Sequence, residues 1–165
     1  MDKILIINSG GTFNKVYNPL NGELEVEREN RTIKEILSTF YNLEYELVGA
    51  IYKDSSFFTI DDRRELKNII NSSTCKSCLI VHGTDTMELS AKYLKEEGVN
   101  KTVVLTGAMV PYSISKTEAI SNFAMCLGFL IANPPKDVYI GMHGYVARYE
   151  NITKNRQIGR FELKK

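Results

Sequence analysis

Apolar residues follow two rhythms along this chain, and the rhythms alternate. Residues 3–8 are a short continuous apolar run, the pattern of a strand buried on both faces of a parallel sheet. Runs over 45–52, 77–81, 102–106 and 138–141 predict four more strands. Between strands the spacing becomes helical. Ile33, Ile36, Leu37 and Phe40 fall on one face of a helix over 32–41. Three further helices start at the same signal, a Ser, Thr or Asp followed three residues later by a carboxylate. Thr59 and Asp62 open a helix to about residue 71, Asp85 and Glu88 one that stops at Gly98, and Ser115 and Glu118 one over 115–131. Residues 12–30 are polar, with turns at Asn18-Pro19 and Asn21-Gly22, and Gly22 closes a small hairpin onto residues 23–26. A loop of this length is often functional. After Gly144 the alternation is weak, and no repeat or linker is visible.

Strands that alternate with helices imply an α/β fold. The expected architecture is a three-layer sandwich with a mainly parallel, doubly wound sheet, flavodoxin-like or Rossmann-like, formed as one domain over residues 1–165. Right-handed crossovers place every strand-to-helix loop on one edge of such a sheet. Thr12, Ser55, Thr84, Asp85 and the Gly107-Ala108-Met109 segment all fall on that edge.

Composition narrows the function classes. Lys and Arg number 21 against 20 Asp and Glu, so no broad basic field invites nucleic acid. No apolar run approaches the roughly 20 residues of a membrane span, and the run over 4–7 is too short for a secretion signal. With three cysteines and no disulfide framework, a cytoplasmic location is expected. Cys75 and Cys78 form a CxxC, but the pair precedes a strand, where neither a redox dithiol nor a zinc site belongs. There is no GxGxxG and no GxxxxGK[ST], so neither a dinucleotide nor a P-loop is supported, and no metal or organic cofactor is expected. His82, at a strand end, reads as a buried, hydrogen-bonded histidine.

The chemistry-bearing residues are two threonines and an aspartate placed just after strands: Thr12 behind Gly10-Gly11, and Thr84-Asp85 behind His82-Gly83. A threonine hydroxyl is a poor nucleophile until a base or a charged partner helps remove its proton. A lysine with a lowered pKa can do so, and N–H groups at a helix start can stabilise an oxyanion. Hydrolysis of an amide or ester is therefore a reasonable class. Plainer roles stand beside it: Thr84 or Asp85 capping a helix, Gly10-Gly11 turning the chain or cradling a phosphate.

Ser9-Gly10-Gly11-Thr12-Phe13, Asp54-Ser55-Ser56, His82-Gly83-Thr84-Asp85-Thr86-Met87 and Val104-Leu105-Thr106-Gly107-Ala108-Met109 occur in that order. Together they make nearly the whole chain resemble the N-terminal domain of the bacterial-type L-asparaginases. The archaeal glutamyl-tRNA amidotransferase subunit that releases ammonia shares these motifs, so the resemblance implies amide hydrolysis more firmly than asparagine. It implies Thr12 as the nucleophile, Thr84 in a second cluster with Asp85 and a lysine, Asp85 on the substrate's α-amino group, and Ser55, with Ser56 beside it, on the α-carboxylate. Gly11 and Ala108 are implied as further substrate contacts. Lys154, in the segment over 146–154, is the matching lysine.

Three departures accompany the resemblance. Tyr17 is the only tyrosine in the loop after Thr12, and it lies closer to Thr12 than the family spacing places its loop tyrosine. Val110-Pro111 stand where an arginine is usual, and Glu118 where an aspartate is usual. The chain also stops where the family's smaller second domain begins, so that domain is expected to be absent. A homo-oligomer, or a separate chain, is then expected to complete the cleft around a small amide substrate. The contrasting expectation is a domain that binds an amino acid or amide without turning it over, as a sensor or half of a complex.

Overall fold

The structure, a computed structural model, describes residues 2–165. From the N-terminus, β1 (Ile4–Gly10) leads into a hairpin of β2 (Lys15–Asn18) and β3 (Glu23–Val26), then α1 (Arg31–Leu37) and β4 (Tyr45–Lys53). The middle of the chain alternates α2 (Ile60–Ser72), β5 (Ser77–Val81), α3 (Met87–Glu96), β6 (Thr102–Thr106), α4 (Lys116–Ile131) and β7 (Val138–Met142). Three short strands follow: β8 (Tyr145–Arg148), β9 (Ile152–Asn155) and β10 (Arg160–Leu163).

The central sheet has the order β4-β1-β5-β6-β7-β8. Its first five strands are parallel, and β8 turns back antiparallel on β7. Every residue of β1, β6 and β7 is buried, as continuous apolar runs predict for strands covered on both faces. Side chains alternate between two cores. Leu5 and Ile7 join Leu66 and Ile70 of α2 and Ala91 and Leu94 of α3. Ile4 and Ile6 join Ile33 and Ile36 of α1 and Phe123 and Leu127 of α4. Helices therefore cover both faces, and this is the three-layer, doubly wound sandwich the sequence predicts. The order reverses between β1 and β5, and the crevice beyond such a reversal is where open α/β sheets bind ligands. Among the described residues no helix is long and apolar enough to cross a membrane.

Local differences have physical causes. The first helix closes at Leu37, earlier than its stripe suggests, and residues 38–40 continue as tight turns in which the Thr39 and Phe40 amides reach only three residues back. Pairing between β1 and β4 slips after Asn8, so residues 9–10 of β1 face residues 50–53 of β4. Ile51 and Tyr52 take positive φ there, at 73° and 53°. The bulge brings the Lys53 carbonyl to the Gly11 N–H at 2.9 Å.

The start of α2 matches its sequence signal. Thr59 Oγ1 accepts from the Asp62 N–H at 3.2 Å, and the Thr59 N–H donates to Asp62 Oδ2 at 2.7 Å. Replacing Thr59 with alanine is expected to cost about 1 kcal/mol, read as a lower denaturant midpoint with an unchanged slope.

Candidate active site

Four loops meet at the carboxyl edge of the sheet, and their backbones touch. Gly11, with φ 78°, sits directly against Gly83, and a Cβ on Gly11 would overlap the Gly83 Cα and N. Gly83 in turn lies over Ser55, whose Oγ would collide with a side chain at 83. The two glycines thus let the loops after β1, β4 and β5 approach closely. Thr12, partly exposed, follows this contact at the head of a single 3-10 turn. The turn is pinned from both sides. The Phe13 ring is buried with its centroid 6.2 Å from that of Phe123. Asn14 Nδ2 donates to Asn8 Oδ1 at 2.9 Å and to the Gly10 carbonyl at 2.8 Å.

Thr84 and Asp85 follow Gly83. Lys154 reaches them from β9: its Nζ donates to Thr84 Oγ1 at 2.8 Å and to Asp85 Oδ1 at 2.6 Å. The Lys154 side chain is only 8% exposed, while that of Asp85 is 45% exposed. A second cation arrives from the turn after β9. Arg156 donates one guanidinium nitrogen to Asp85 Oδ1 at 3.1 Å and the other to the Asp85 carbonyl at 2.8 Å. The Lys154 hydrogen bond holds the Asp85 carboxyl below its ordinary range, against the opposing effect of partial burial and with help from Arg156. Asp85 thus carries its charge near neutral pH.

The expected capping boxes at α3 and α4 are absent. Helix α3 begins at Met87, with Thr86 before it making no side-chain cap. Both carboxylates of the pattern serve tertiary partners instead: Asp85 takes Lys154 and Arg156, and Glu88 Oε2 accepts the Lys154 N–H at 3.3 Å. At α4 the Ser115 side chain caps nothing. Glu118 accepts from the Met109 and Val110 N–H groups at 2.8 and 3.0 Å and meets His143 Nε2 at 2.8 Å. It orients the Gly107-Ala108-Met109 loop rather than its own helix.

Ser55 is fully buried; its Oγ accepts from the Thr86 N–H at 3.2 Å, and its carbonyl accepts from Thr86 Oγ1 at 2.7 Å. Ser56 is exposed, bonded through its N–H and hydroxyl to Asp54 Oδ1, while Lys15 holds Asp54 Oδ2 at 2.7 Å. Ala108 is buried in the α4-side core. Tyr17 is not brought to the cluster: it lies on β2, 63% exposed, with its hydroxyl beside Gly22. His82 is buried, as its place at a strand end suggests. Its Nδ1 meets the Gly83 carbonyl at 2.7 Å, so Nδ1 carries the proton and Nε2 is left without a partner among the described residues. Burial pushes its pKa down to about 4, so it stays neutral near pH 7. Its bond to the Gly83 carbonyl fixes the peptide leading into Thr84. The cysteines Cys75, Cys78 and Cys126 are all free and buried.

Arg156, the contact of Glu88 with Lys154 and the pairing of Lys15 with Asp54 are what sequence reasoning missed. Arg156 lies 71 positions from Asp85. Its only signal is its place two residues beyond Lys154.

Comparison with known proteins adds to this geometry. The family model "Asparaginase, N-terminal" matches residues 3–161. Direct comparison with curated protein sequences gives no match. Among solved structures, the thermostable L-asparaginase of Thermococcus kodakarensis superposes with a TM-score of 0.85 at 20% identity, over 98% of this chain and 51% of that one. L-asparaginase I of Vibrio cholerae gives 0.83 at 21% identity, over 98% and 51%. A probable cytoplasmic L-asparaginase of Campylobacter jejuni gives 0.79 at 20%, over 99% and 53%. The chain spans about half the length of these three proteins. It belongs to the asparaginase family, and the part of that family it matches is the N-terminal domain.

Proposed function

We propose that this domain hydrolyses a small carboxamide of the asparagine type and releases ammonia, with Thr12 as nucleophile. The observation that carries the reading is the Lys154 ammonium held between Thr84 Oγ1 and Asp85 Oδ1, on the same sheet edge as Thr12. In this reading Thr12 Oγ attacks the amide carbon, the C–N bond breaks, and the hydroxyl proton leaves with the nitrogen as ammonia. Water then attacks the resulting ester, the bond to Thr12 Oγ breaks, and Thr12 regains a proton. Lys154 polarises the Thr84 hydroxyl, which frees the Thr84 proton to donate toward the reacting groups. Helix α3 begins three residues beyond Thr84, and its N-terminal dipole favours negative charge developing at this edge.

Asp85, Ser55, Ser56, Gly11 and Ala108 are the proposed substrate contacts. Ser55 lies beneath Gly83, so its contribution goes mainly through the loop it holds. Tyr17 joins only if the β2–β3 hairpin folds over the crevice, a closure of the kind loops perform in many enzymes. Ser56 and Asp85 are exposed, and a second copy of this chain or a separate chain covering them would shield the reaction from water. A cytoplasmic location suits three free thiols.

The test is ammonia release from asparagine, glutamine and simple aliphatic amides, with the carboxylate product measured alongside. Equal amounts of ammonia and carboxylate from at least one amide are expected. Ammonia from none of them would sink the reading, and binding without release would make this a binding domain.

A further inference from the structure

Lys154 and Phe161 stand opposite each other in the β9–β10 hairpin, and both backbone N–H groups point out of it. The Lys154 N–H donates to Glu88 Oε2 of α3 at 3.3 Å, and the Phe161 N–H donates to His143 Nδ1 at 3.0 Å. The pair that carries Lys154 is thus seated from two sides by side chains of other elements. His143 lies in the tight turn between β7 and β8, at φ 53°, and its own N–H donates to Asn122 Oδ1 of α4 at 3.0 Å. The Phe161 bond fixes the tautomer of the ring. A backbone N–H only donates, so Nδ1 is the bare acceptor and Nε2 carries the proton. Nε2 donates to Glu118 Oε1 at 2.8 Å, and the same carboxylate holds the Met109 and Val110 N–H groups. One neutral imidazole therefore joins the strand partner of Lys154 to the loop after β6. A second ring proton would sit on Nδ1 and face the Phe161 N–H, donor against donor. The charged ring can keep Glu118 but not Phe161. The other titratable groups around it are Tyr145 of β8, Arg160 and Glu162 of β10, and Lys164 and Lys165 beyond, which share one hollow with the ring.

We infer that His143 is a positioning residue: in its neutral form it seats Phe161 and, through the strand pair, holds Lys154 against Thr84 and Asp85, so that a second proton on the ring slackens the placement of the Lys154 ammonium and lowers turnover. The inference rests on the amidohydrolase reading above and on the part Lys154 takes in it. The His143 and Glu118 side chains are each only 21% exposed, so water is a poor substitute for a bond lost there.

The experiment follows kcat from about pH 8 to about pH 5, the range in which an imidazole changes charge, in wild type, His143→Asn and His143→Ala. Circular dichroism checks that each protein stays folded. Asparagine tolerates a positive φ and places an amide oxygen near the position of Nδ1, but it takes up no proton in this range. Wild-type kcat is expected to fall by about tenfold toward the acid end, the effect of one hydrogen bond lost behind Lys154. His143→Ala should show that low value throughout. His143→Asn should recover most of the loss and lack the acid fall. A purely structural role would lower the melting midpoints and leave the shape of the pH profile unchanged. No acid fall in wild type, or the same fall in His143→Asn, overturns the inference while leaving amide hydrolysis standing. If no amide is hydrolysed, nitrogen-15 NMR decides. The Lys154 and Phe161 amide resonances should move together as the His143 ring titrates in wild type, and stay still over that range in His143→Asn. A Lys154 resonance that stays still while the ring titrates, or a neutral ring with its proton on Nδ1, overturns the inference.

Discussion

Thr12→Ala is expected to lower ammonia release by about 1,000-fold or more while the domain stays folded. Such a loss corresponds to about 4 kcal/mol of transition-state stabilisation, all assigned to one hydroxyl. The site favours a clean result. Gly11 against Gly83 on one side and the buried Phe13 on the other hold the backbone of residue 12, so trimming its side chain leaves the turn in place. Thr12→Ser keeps the hydroxyl and should retain far more activity than the alanine variant. The checks are kcat in a continuous ammonia assay and the melting midpoint by circular dichroism. Equal rates in Thr12→Ala and wild type would remove Thr12 from the chemistry.

Lys154→Met should lower kcat by about 100- to 1,000-fold. The methionine keeps most of the volume of a side chain that is only 8% exposed and removes its charge. Thr84 Oγ1 then loses its donor, and Asp85 retains only Arg156. The pH dependence of stability should change with it, in a direction fixed by linkage. Asp85 is depressed in the folded state, chiefly by Lys154. Its contribution to stability is therefore fully present above the ordinary carboxylate pKa of about 4 and is lost as pH falls through the depressed value. Without Lys154 the depression shrinks, so the variant should lose less stability than wild type on acidification through this window. Asp85 is nearly half exposed, which keeps the difference small. Melting midpoints of the two proteins across the acid range read it. A steeper acid loss in Lys154→Met than in wild type would contradict the assignment.

How far the sequence carried the argument depends on the distance over which each feature is decided. Four of the five parallel strands, β1, β5, β6 and β7, were legible because burial on both faces demands a continuous apolar run, whereas the edge strand β4 is only partly buried. Their order then placed Thr12, Ser55 and Thr84 on one edge before any distance was known. The start of α2 was legible because both of its partners lie within four residues. The starts of α3 and α4 carry the same spacing and were misread. A carboxylate three residues into a helix looks the same in sequence whether it turns back to its own first turn or outward to another element. At Glu118 the outward partners are two loop amides and His143, and at Asp85 they are Lys154 and Arg156. The last strands were faint because each has only four residues and a partly exposed pattern. Tyr17 was placed as the only tyrosine in the loop after Thr12, at a shorter spacing than the resemblance implies, and its strand carries it out along the β2–β3 hairpin.

That faint C-terminal segment has an energetic consequence. Strands β9 and β10 pair only with each other and form no ladder with the central sheet. The hairpin is fastened by Ile152 and Phe161 in the core, by the Phe161 N–H on His143 Nδ1, by the Lys154 N–H on Glu88, and by the partly exposed bonds of the Lys154 and Arg156 side chains to Thr84 and Asp85. Two buried side chains and a few hydrogen bonds make a much weaker unit than a sheet covered on both faces. Opening the hairpin therefore takes less free energy than unfolding the domain. Because Lys154 and Arg156 both travel with it, the charged half of the crevice has a stability of its own, below that of the fold. A population of molecules can keep every central strand and helix in place and still lack both cations.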